Sequence, residues 1–538
     1  MISEAQQARA WEHAQRPYRH VLLNRPRIYS EGEKGLGEEI ACIDMASKQI
    51  YIDEANLEQR VGLDKLPAIE SHEIGHHKHC PYDLRNLVRL VGHAYKETKS
   101  INRAQTVENQ FADLLVNADL QRKGVDIASV YRRLSKGSDS RFWDFYMSTF
   151  EQMTGQRILD RPAKEEARKD AMRLGDLLSK AIDSSERWPK TVREYAKAAK
   201  KYMEEDKQEA KDDQGDMPGQ APETYAPAEV PQIDHHSAKD FLPFKKSGQH
   251  EKAQSKAIEG EIKGLAKELG QGTYKKAVAG LGLGSKRQAN LWFYRDLVRE
   301  YMMEMPCTHS GYSSPIPNVA ERWRTSDPVE RLDVEYTLSN YGIILPNITT
   351  YQRVSKVVSS MDQGGESPDL LIVLDSSGSM ADPMECLSFA LLSSMIASKA
   401  ALDVGRKVGV INFSCDYTTL QFTNDSYKVD ETLSIYYNGG TIIPGEAIKG
   451  MVSRNPYPTH VLMITDTGIA NLDQELPNLE AALKRGRSGG TIFLDTEPEE
   501  RTDQLANIGY DIIFTRNFDE LAQATLAKSK AIYQGGTK

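Results

Sequence analysis

The stretch LLIVLDSSGS, residues 370–379, joins five consecutive apolar residues to an acidic one and to hydroxyl side chains at alternate positions. Continuous Val/Ile/Leu runs are typical of strands that are buried on both faces of a parallel sheet. Ligands of open α/β sheets bind where such strands end, so Asp375, Ser377 and Ser379 are expected to converge at a sheet edge. Their hard oxygen donors suit Mg²⁺ or Mn²⁺. The alternative is a serine-rich turn that caps the next helix.

The chain beyond this stretch alternates short apolar runs with helical periods. Predicted strands lie at 370–374, 407–413, 460–465, 491–494 and 511–514, and predicted helices at 384–402, 445–453, 472–484 and 498–507. This repetition predicts an α/β fold with a doubly wound parallel sheet, Rossmann-like, and helices on both faces. Two further oxygen donors follow, Thr441 in a glycine-flanked loop and Asp466 at the end of another predicted strand.

Taken together, these donors resemble the metal-ion-dependent adhesion site of von Willebrand factor A (VWA) domains, in which DxSxS is joined by a loop threonine and a strand-end aspartate. The five matching positions are Asp375, Ser377, Ser379, Thr441 and Asp466. The resemblance implies that the three hydroxyls touch the metal directly and that the two carboxylates act mainly through water. It also implies that Mg²⁺ (or Mn²⁺) keeps one position for a carboxylate of a partner protein. The domain would then bind a partner and would not itself catalyse a reaction.

A second motif, His72-Glu73-Ile-Gly-His76, lies in a predicted helix near the start of the chain. Residues four apart project from one helix face, so both imidazoles could bind one Zn²⁺. Glu73 beside them could accept a proton from an attacking water, as the general base of a hydrolase. The alternative is a histidine-rich helix surface, because His77 and His79 follow directly.

Catalytic zinc usually has three protein ligands, and the helix predicted over 104–123 offers candidates for the third. Asn109, Asp113 and Asn117 are spaced by four and form one polar stripe, which should face a group that satisfies it. On spacing alone, a stripe that faces solvent is an equal alternative. Glu108 lies on a different face of this helix. It remains a competing ligand, because many HExxH enzymes use a glutamate from a following helix.

The two motifs together resemble bacterial and phage VWA-like proteins with an N-terminal metallopeptidase domain, in which HExxH precedes a helix reading N-x-A-x-D-x-x-(I/V)-N. Asn109, Asp113, Val116 and Asn117 match this pattern, and Ala112 stands one place later than the usual alanine. The resemblance makes Asp113 the third ligand and implies a mainly helical, zincin-like N-terminal domain. It also implies that a MoxR-like AAA+ ATPase, or its client protein, binds the VWA cation site.

Three functions are compatible with these resemblances. The first is a zinc metallopeptidase whose Mg²⁺-dependent VWA domain docks a partner or substrate. The second is a non-enzymatic adaptor for an AAA+ ATPase, in which zinc only braces helices. The third resembles the CobT-type subunit of cobalt chelatase, and it ranks last because no HExxH segment is expected there. The sequence contains no GxxxxGK[ST] phosphate-binding loop, so any ATP dependence would come from another chain.

Composition sets the expected domain boundaries. Residues 203–227 are rich in acidic residues and proline and contain no Leu, Ile or Val, which predicts a disordered linker. The predicted parts are a mainly helical metallopeptidase domain at 1–202, the linker at 203–240, a helical and irregular connecting region at 241–366, and the VWA domain at 367–538. The net charge of −9 argues against direct nucleic-acid or membrane binding. Scattered cysteines and an N-terminus without a signal peptide predict a cytoplasmic location.

Overall fold

The computed structural model of the chain divides it into two compact units, Met1–Ala289 and Asn290–Lys538. The residues that it describes are 2–18, 21–30, 36–135, 140–214, 233, 237–242, 251–304, 315–334, 337–338, 343–347, 350–357, 367–466, 468–494, 500–515 and 518–533. The division falls inside a helix, Lys286–Glu304, and not in the predicted linker. Among the described residues, no helix combines the length and the apolarity that crossing a lipid bilayer requires.

The first unit is mostly helical. Its helices are α1 (Glu4–Gln15), α2 (Glu54–Arg60), α3 (Leu66–Lys78), α4 (Leu84–Thr98), α5 (Ile101–Arg122), α6 (Ile127–Leu134), α7 (Arg141–Thr154), α8 (Glu165–Ala181), α9 (Trp188–Gln214), α10 (Glu251–Glu261), α11 (Ala266–Leu269) and α12 (Gln271–Gly280). Its strands are β1 (Arg27–Tyr29), β2 (Ala41–Asp44) and β3 (Gln49–Asp53). The helical spacing of apolar residues predicts helices at 66–80, 83–96, 104–123 and 164–182, and these correspond to α3, α4, α5 and α8.

Helix α5 is the central element of this unit, and it packs against α3, α4, α7 and α9. Every residue from 107 to 118 is buried, as expected of a helix that is surrounded by other helices. Several of these buried residues are polar, including Asn109, Asp113 and Asn117. Buried polar groups of this kind need partners inside the protein, so the interior around α5 must supply them.

A small sheet with strand order β1-β3-β2 packs beside the helices. The sequence at 39–44 and 49–53 predicts a pair of short strands around a turn, and β2 and β3 form such a pair, which is antiparallel. β1 was not predicted, and it pairs in parallel with β3. With only three residues, β1 is too short to show an alternating pattern in the sequence.

The segment 203–240, predicted as a linker, is built into the first unit at both of its ends. Helix α9 includes its first residues. Further on, Ile233 is buried, and its carbonyl oxygen accepts hydrogen bonds from the amides of Ile40 and Ala41 at 3.1 and 3.4 Å. A short turn at Ala238–Phe241 follows. Most of the residues between α9 and this turn lie outside the described part of the chain, and there the linker stays a prediction.

The second unit is built around a six-stranded sheet. The strands of the second unit are β4 (Pro315–Arg322), β5 (Tyr351–Val357), β6 (Asp369–Asp375), β7 (Val408–Phe413), β8 (Tyr417–Thr423), β9 (Thr459–Thr465), β10 (Arg487–Leu494) and β11 (Tyr510–Phe514). Its helices are α13 (Lys286–Glu304), α14 (Phe389–Asp403), α15 (Ser426–Leu433), α16 (Gly445–Arg454), α17 (Leu472–Gly486), α18 (Glu500–Asn507) and α19 (Phe518–Tyr533). β4 and β5 form a separate antiparallel pair.

The large sheet has the strand order β11-β10-β9-β6-β7-β8. All neighbouring strands are parallel except β8, which is antiparallel to β7, so the sheet is mixed and the prediction of an all-parallel sheet is wrong at this edge. Only three residues connect β7 to β8, and a connection this short can join only antiparallel strands. The side chains of β8 alternate in exposure, as in a strand with one solvated face.

Helices cover both faces of this sheet, which confirms the mixed α/β architecture. Leu371 and Val373 of β6 pack into an apolar cluster with Ile448 of α16 and Leu479 of α17. Successive residues of a strand point to opposite faces, so Ile372 lies on the other side, where α14 contacts β6. The chain leaves β6 toward β7 on one side and later returns to β9 on the other. The carboxyl ends of β6 and β9 therefore form the topological switch point of the sheet.

Candidate metal centres

The first candidate centre is built on α3, a helix with Pro67 in its first turn. Pro is favoured there because its missing amide hydrogen would have no intrahelical partner. The helix is buried from Ile69 to His76, and it packs against α1, α5 and β2. His72 and His76 lie one turn apart, and their rings meet edge to face with centroids 4.5 Å apart. The predicted pair of imidazoles therefore points to one place inside the unit.

Three ligand atoms converge at this place. His72 Nε2 and His76 Nε2 are 3.1 Å apart, and Asp113 Oδ1 lies 3.7 Å from the first and 3.2 Å from the second. Ligand atoms around a tetrahedral zinc with bonds of about 2.0–2.1 Å stand roughly 3.3–3.4 Å apart. A triangle with the observed sides has a point about 2 Å from all three atoms, so the donor set fits Zn²⁺ in size and in chemistry.

Asp113 reaches the two histidines because α3 and α5 pack directly against each other. The crossing lies at Gly75, where an added Cβ would stand 2.3 Å from Val116 Cγ1 and 3.0 Å from the Tyr18 hydroxyl oxygen. Any larger side chain at this position would push the two helices apart. The glycine inside the HExxH motif therefore sets the distance at which a carboxylate of α5 meets the imidazoles of α3.

The outer ring nitrogen of each histidine faces an oxygen atom. His72 Nδ1 lies 2.8 Å from Asn117 Oδ1, and His76 Nδ1 lies 2.8 Å from the backbone carbonyl oxygen of Cys80. Both oxygens accept, so each Nδ1 carries the ring hydrogen and each Nε2 presents its lone pair to the shared point. This arrangement of outer hydrogen bonds is typical of histidines that bind metals.

The two predicted glutamates lie in the same interior, and both are buried. Among the described residues, the group of His, Cys, Asp and Glu side chains close enough to hold a metal consists of His72, His76 and Asp113, without Glu73 or Glu108. Burial raises the pKa of the Cys80 thiol, and the Glu108 and Asp113 carboxylates add to the rise. The Glu108 carboxylate is thus close enough to act on Cys80, but the geometry favours Asp113 as the third ligand.

The second candidate centre lies at the switch point of the large sheet, at the carboxyl end of β6. Asp375 is buried there, and its carboxylate is fixed from two sides. Oδ1 accepts a hydrogen bond from the Ser377 amide at 2.9 Å, and Oδ2 accepts one from the Thr465 hydroxyl at 2.7 Å. Burial raises the pKa of Asp375 and the nearby Asp466 adds to this, while the hydrogen bonds from Thr465 and Ser377 oppose it.

The loop that carries Thr441 docks on the serine-rich loop by backbone hydrogen bonds. The Gly378 amide donates to the Gly439 carbonyl oxygen at 2.8 Å, and the Asn438 amide donates to the Ser376 carbonyl oxygen at 3.1 Å. An added Cβ at Gly378 would stand 2.9 Å from Asn438 Oδ1, so a larger residue there would displace the Asn438 side chain. The two loops are therefore joined by their backbones, with Ser377 paired in parallel with Gly439.

The remaining predicted donors lie around the same edge. The hydroxyl oxygens of Ser377 and Ser379 are 3.2 Å apart. Thr441 Oγ1 and Asp466 Oδ1 lie 3.9 and 4.0 Å from the Cβ position of Gly468. Asp466 follows β9, the sheet neighbour of the strand that ends in Asp375. All of these donors are hard oxygens, which fits Mg²⁺ or Mn²⁺ better than a softer metal.

Several residues that complete the two centres were not predicted. Thr465 fixes the carboxylate of Asp375, and the Ser414 hydroxyl holds the glycine loop by donating to Gly440 O and accepting from Gly439 N. Both residues come directly after apolar runs at the ends of strands, and this position in the sequence could have indicated them. Behind the other centre, Tyr131 lies in a helix of its own, and no local spacing points to its role.

No protein-family model matches the chain, and no curated protein matches it. Similar solved structures include an aerotolerance-related membrane protein from Bacteroides fragilis, 18% identical, over 31% of this chain and 97% of that one, with a TM-score of 0.23. Another is the conserved hypothetical protein BatB from Bacteroides thetaiotaomicron, 19% identical, over 30% of this chain and 98% of that one, with a TM-score of 0.23. Likenesses this slight carry no argument about function.

Proposed function

We propose that the protein has two metal sites, with Zn²⁺ in the first unit and Mg²⁺ (or Mn²⁺) in the second. The observation that carries the zinc site is the triangle of His72 Nε2, His76 Nε2 and Asp113 Oδ1, whose sides are 3.1, 3.2 and 3.7 Å. The second site is supported by oxygen donors that meet at the switch point of a doubly wound sheet. The motif and the sheet order together favour a VWA domain that docks a carboxylate of a partner.

For the zinc site we propose hydrolysis of a peptide bond. Bound Zn²⁺ would supply Lewis acidity, which polarises a carbonyl group and makes water more acidic. Glu73, next to His72 on α3, would take one proton from the water whose oxygen attacks the carbonyl carbon. As the carbon–nitrogen bond breaks, Glu73 would pass that proton to the leaving amine nitrogen. His72, His76 and Asp113 would serve as ligands and would not transfer protons.

The test of catalysis compares Glu73→Gln with Glu108→Gln in the full chain loaded with zinc. Both changes remove a buried carboxylate, so they are matched in size and burial. We expect Glu73→Gln to abolish cleavage of fluorescein-labelled casein while leaving bound zinc and the thermal midpoint unchanged. Cleavage that survives Glu73→Gln would contradict the role of this residue as the base.

A second candidate function, an adaptor without enzymatic activity, is favoured by the burial of the zinc site. His72, Glu73 and His76 are 0% exposed and Asp113 is 2% exposed, so none of these side chains faces bulk solvent. A substrate must reach a catalytic metal, whereas a metal that braces α3 against α5 needs no access. Under this function, wild-type protein with a full complement of zinc would cleave no casein, even with an AAA+ ATPase and ATP present.

Both candidate functions use the second unit to dock a partner, and the resemblance supports a MoxR-like AAA+ ATPase or its client. We expect Asp375→Ala to abolish Mg²⁺-dependent capture of a purified MoxR-like ATPase from the same source. Asp403→Ala is the matched control, because Asp403 is an exposed aspartate at the end of α14, just before β7 begins at the opposite edge of the sheet. Capture that persists in EDTA would contradict docking through a bound cation.

A further inference from the structure

We propose that Asn117 is a positioning residue for the zinc site and that it fixes the hydrogen of His72 on the outer ring nitrogen. This inference rests on the proposed zinc site and adds residues to it that bind no metal. Asn117 lies on α5, one turn beyond Asp113. The same helix would therefore supply one ligand of the metal and the support of another.

The hydrogen-bond chain behind His72 is continuous and buried. His72 Nδ1 lies 2.8 Å from Asn117 Oδ1, and Asn117 Nδ2 donates to the Tyr131 hydroxyl oxygen at 2.6 Å. The Tyr131 hydroxyl lies 2.7 Å from the Tyr146 hydroxyl. All four side chains are at most 2% exposed, so water does not compete for these positions. Three helices, α5, α6 and α7, thus contribute to the orientation of one ring on α3.

The direction of the Asn117 amide decides whether His72 can bind a metal. With Oδ1 toward the ring, His72 Nδ1 must carry the hydrogen, and Nε2 keeps its lone pair for the metal. With the amide reversed, Nδ2 would donate to Nδ1, and the hydrogen of a neutral ring would move to Nε2 and block the site. In the productive direction the Tyr131 hydroxyl oxygen accepts from Nδ2, so both ends of the Asn117 amide have a partner.

The two histidines differ in how their outer nitrogens are held. His76 uses a backbone carbonyl, that of Cys80, in the loop directly after α3. This partner is local and stays in place whatever side chain is present. His72 instead depends on a side chain from another helix, 45 positions away in the sequence. A single substitution can therefore remove the support of His72 while His76 keeps its own.

The experiment measures zinc affinity by competition with a chromophoric chelator, in the full chain. We expect Asn117→Ala to weaken zinc binding by about 10- to 100-fold, the usual cost of removing the outer partner of a metal-binding histidine. Asn117→Asp should retain the affinity, because a carboxylate oxygen accepts from His72 Nδ1 as the amide oxygen does. The absorption spectrum of Co²⁺-loaded protein should lose its tetrahedral character in Asn117→Ala and keep it in Asn117→Asp.

Two further variants, Tyr131→Phe and Tyr146→Phe, remove the next hydroxyls in the hydrogen-bond chain behind Asn117 and keep the aromatic rings in place. We expect a fall in affinity of less than about 10-fold for Tyr131→Phe and a smaller one for Tyr146→Phe, since each bond acts through the one before it. Tyr131→Phe also serves as the test if Asn117→Ala does not fold.

Three results would contradict the inference, and they differ in what else they overturn. Wild-type protein that binds no zinc would overturn the proposed metal site and this inference with it. If Asn117→Ala folds and binds zinc as tightly as wild type, the inference alone is overturned. If Asn117→Ala does not fold, wild-type zinc affinity in Tyr131→Phe overturns the inference alone. Equal losses in Asn117→Ala and Asn117→Asp would also overturn the inference alone, because an acceptor oxygen beside His72 Nδ1 would then not be enough to hold the ring hydrogen there.

Discussion

The two candidate metal centres differ in where their donors come from and in what surrounds them. In the first unit, the donors are two imidazoles and a carboxylate that project from the faces of two buried helices. In the second, they are hydroxyls and carboxylates at the end of a strand and on the loops beside it, where Ser379 is exposed and Asp466 is half-buried. One centre is enclosed by the protein and the other borders solvent.

This difference suggests a different use for each metal. An enclosed metal with three protein ligands adds its binding free energy to the folded state, because the unfolded chain has no preformed site. A metal at a sheet edge can leave a coordination position open to a side chain of another protein. We therefore expect zinc to matter first for the integrity of the first unit, and the second cation to matter for partner binding.

The largest effect is expected from removing the carboxylate of the enclosed centre. Asp113→Asn should lower zinc affinity on the order of 100-fold or more, because Oδ1 lies 3.2 Å from His76 Nε2 and completes the ligand triangle. Glu108→Gln, on the same helix, should retain zinc. Metal analysis of the purified variants measures both. Zinc lost from Glu108→Gln and kept in Asp113→Asn would reverse the assignment of the third ligand.

The same variants test whether the two centres are independent. Mn²⁺ binding to the second unit, followed by electron paramagnetic resonance, should be unchanged in Asp113→Asn and should be lost in Asp375→Ala. Conversely, Asp375→Ala should keep its zinc. A variant that loses both metals would break the comparison, because one centre would then depend on the other.

The sequence predicted the fold best where a single periodicity dominated. The apolar runs at the buried strands and the helical period around His72 correspond to elements of the structure within a few residues. Among the strands of the large sheet and the helices that follow β6, those missed were β8, α15 and α19. β8 alternates in exposure where the neighbouring strands are continuously buried, so a search for apolar runs passes over it.

The candidate sites were less predictable, because they depend on how helices are rotated and spaced. The spacing of His72 and His76 within one helix predicts their common direction. Whether Asp113 or Glu108 reaches them depends on the rotation of α5 about its own axis, which is determined by packing against the surrounding helices. Tyr131 is supplied by a different helix, and its contact with Asn117 has no local signature in the sequence.

The next largest effect concerns the helix crossing that holds the enclosed centre together. Gly75→Ala would place a methyl group 2.3 Å from Val116 Cγ1, and overpacking of this severity costs about 3 kcal/mol of unfolding free energy. It should also weaken zinc binding, since α5 must move away and carries Asp113 with it. Denaturant unfolding and zinc competition measure the two effects.

Two controls sharpen this prediction. Val116→Ala in the Gly75→Ala background should recover zinc affinity, because it removes the methyl groups that clash. Gly272→Ala, a helical glycine of α12 with nothing within 4 Å of its Cβ position, should leave zinc unaffected and should not destabilise the protein. If Gly75→Ala binds zinc as tightly as wild type, the close crossing does not set the ligand distances.

Acid should act on His460 of the second unit and on Glu268 of the first unit in different pH ranges, and His460 should respond first. Burial lowers the pKa of His460 to about 4, and Lys528 contributes to this, while Ser488 and Asp511 oppose it. As the pH falls, the His460 imidazole of the unfolded chain therefore takes up a proton near pH 6.5, and that of the folded chain does so only near pH 4. Stability is complete above pH 6.5 and falls by on the order of 2 kcal/mol toward pH 4.

His460→Gln tests this assignment, because glutamine does not titrate and can still hydrogen-bond to Thr491, which lies 3.0 Å from the His460 ring. We expect the pH dependence of the unfolding free energy between 6.5 and 4 to flatten in this variant. An unchanged slope in this range would mean that other groups of the protein control its response to mild acid.

The smallest effect is expected from Glu268 in the first unit. Burial raises the pKa of this carboxyl, but hydrogen bonds from His93 and Arg89 outweigh burial and hold the pKa at about 2. The stabilisation is therefore present above pH 4.5 and is lost as the pH falls toward 2, a lower range than that of His460. Since the carboxylate stays partly in solvent, we expect a loss of only about 1 kcal/mol.

Glu268→Gln should flatten the unfolding free energy between pH 4.5 and 2 and leave the range from 6.5 to 4 unchanged. His460→Gln should do the reverse, so each variant serves as the control for the other. The two distinct ranges would mean that the buried imidazole of His460 and the partly exposed carboxylate of Glu268 respond to acid separately. If both variants flatten the same range, the two units do not respond separately to acid, and the contrast between them is confined to their metal centres.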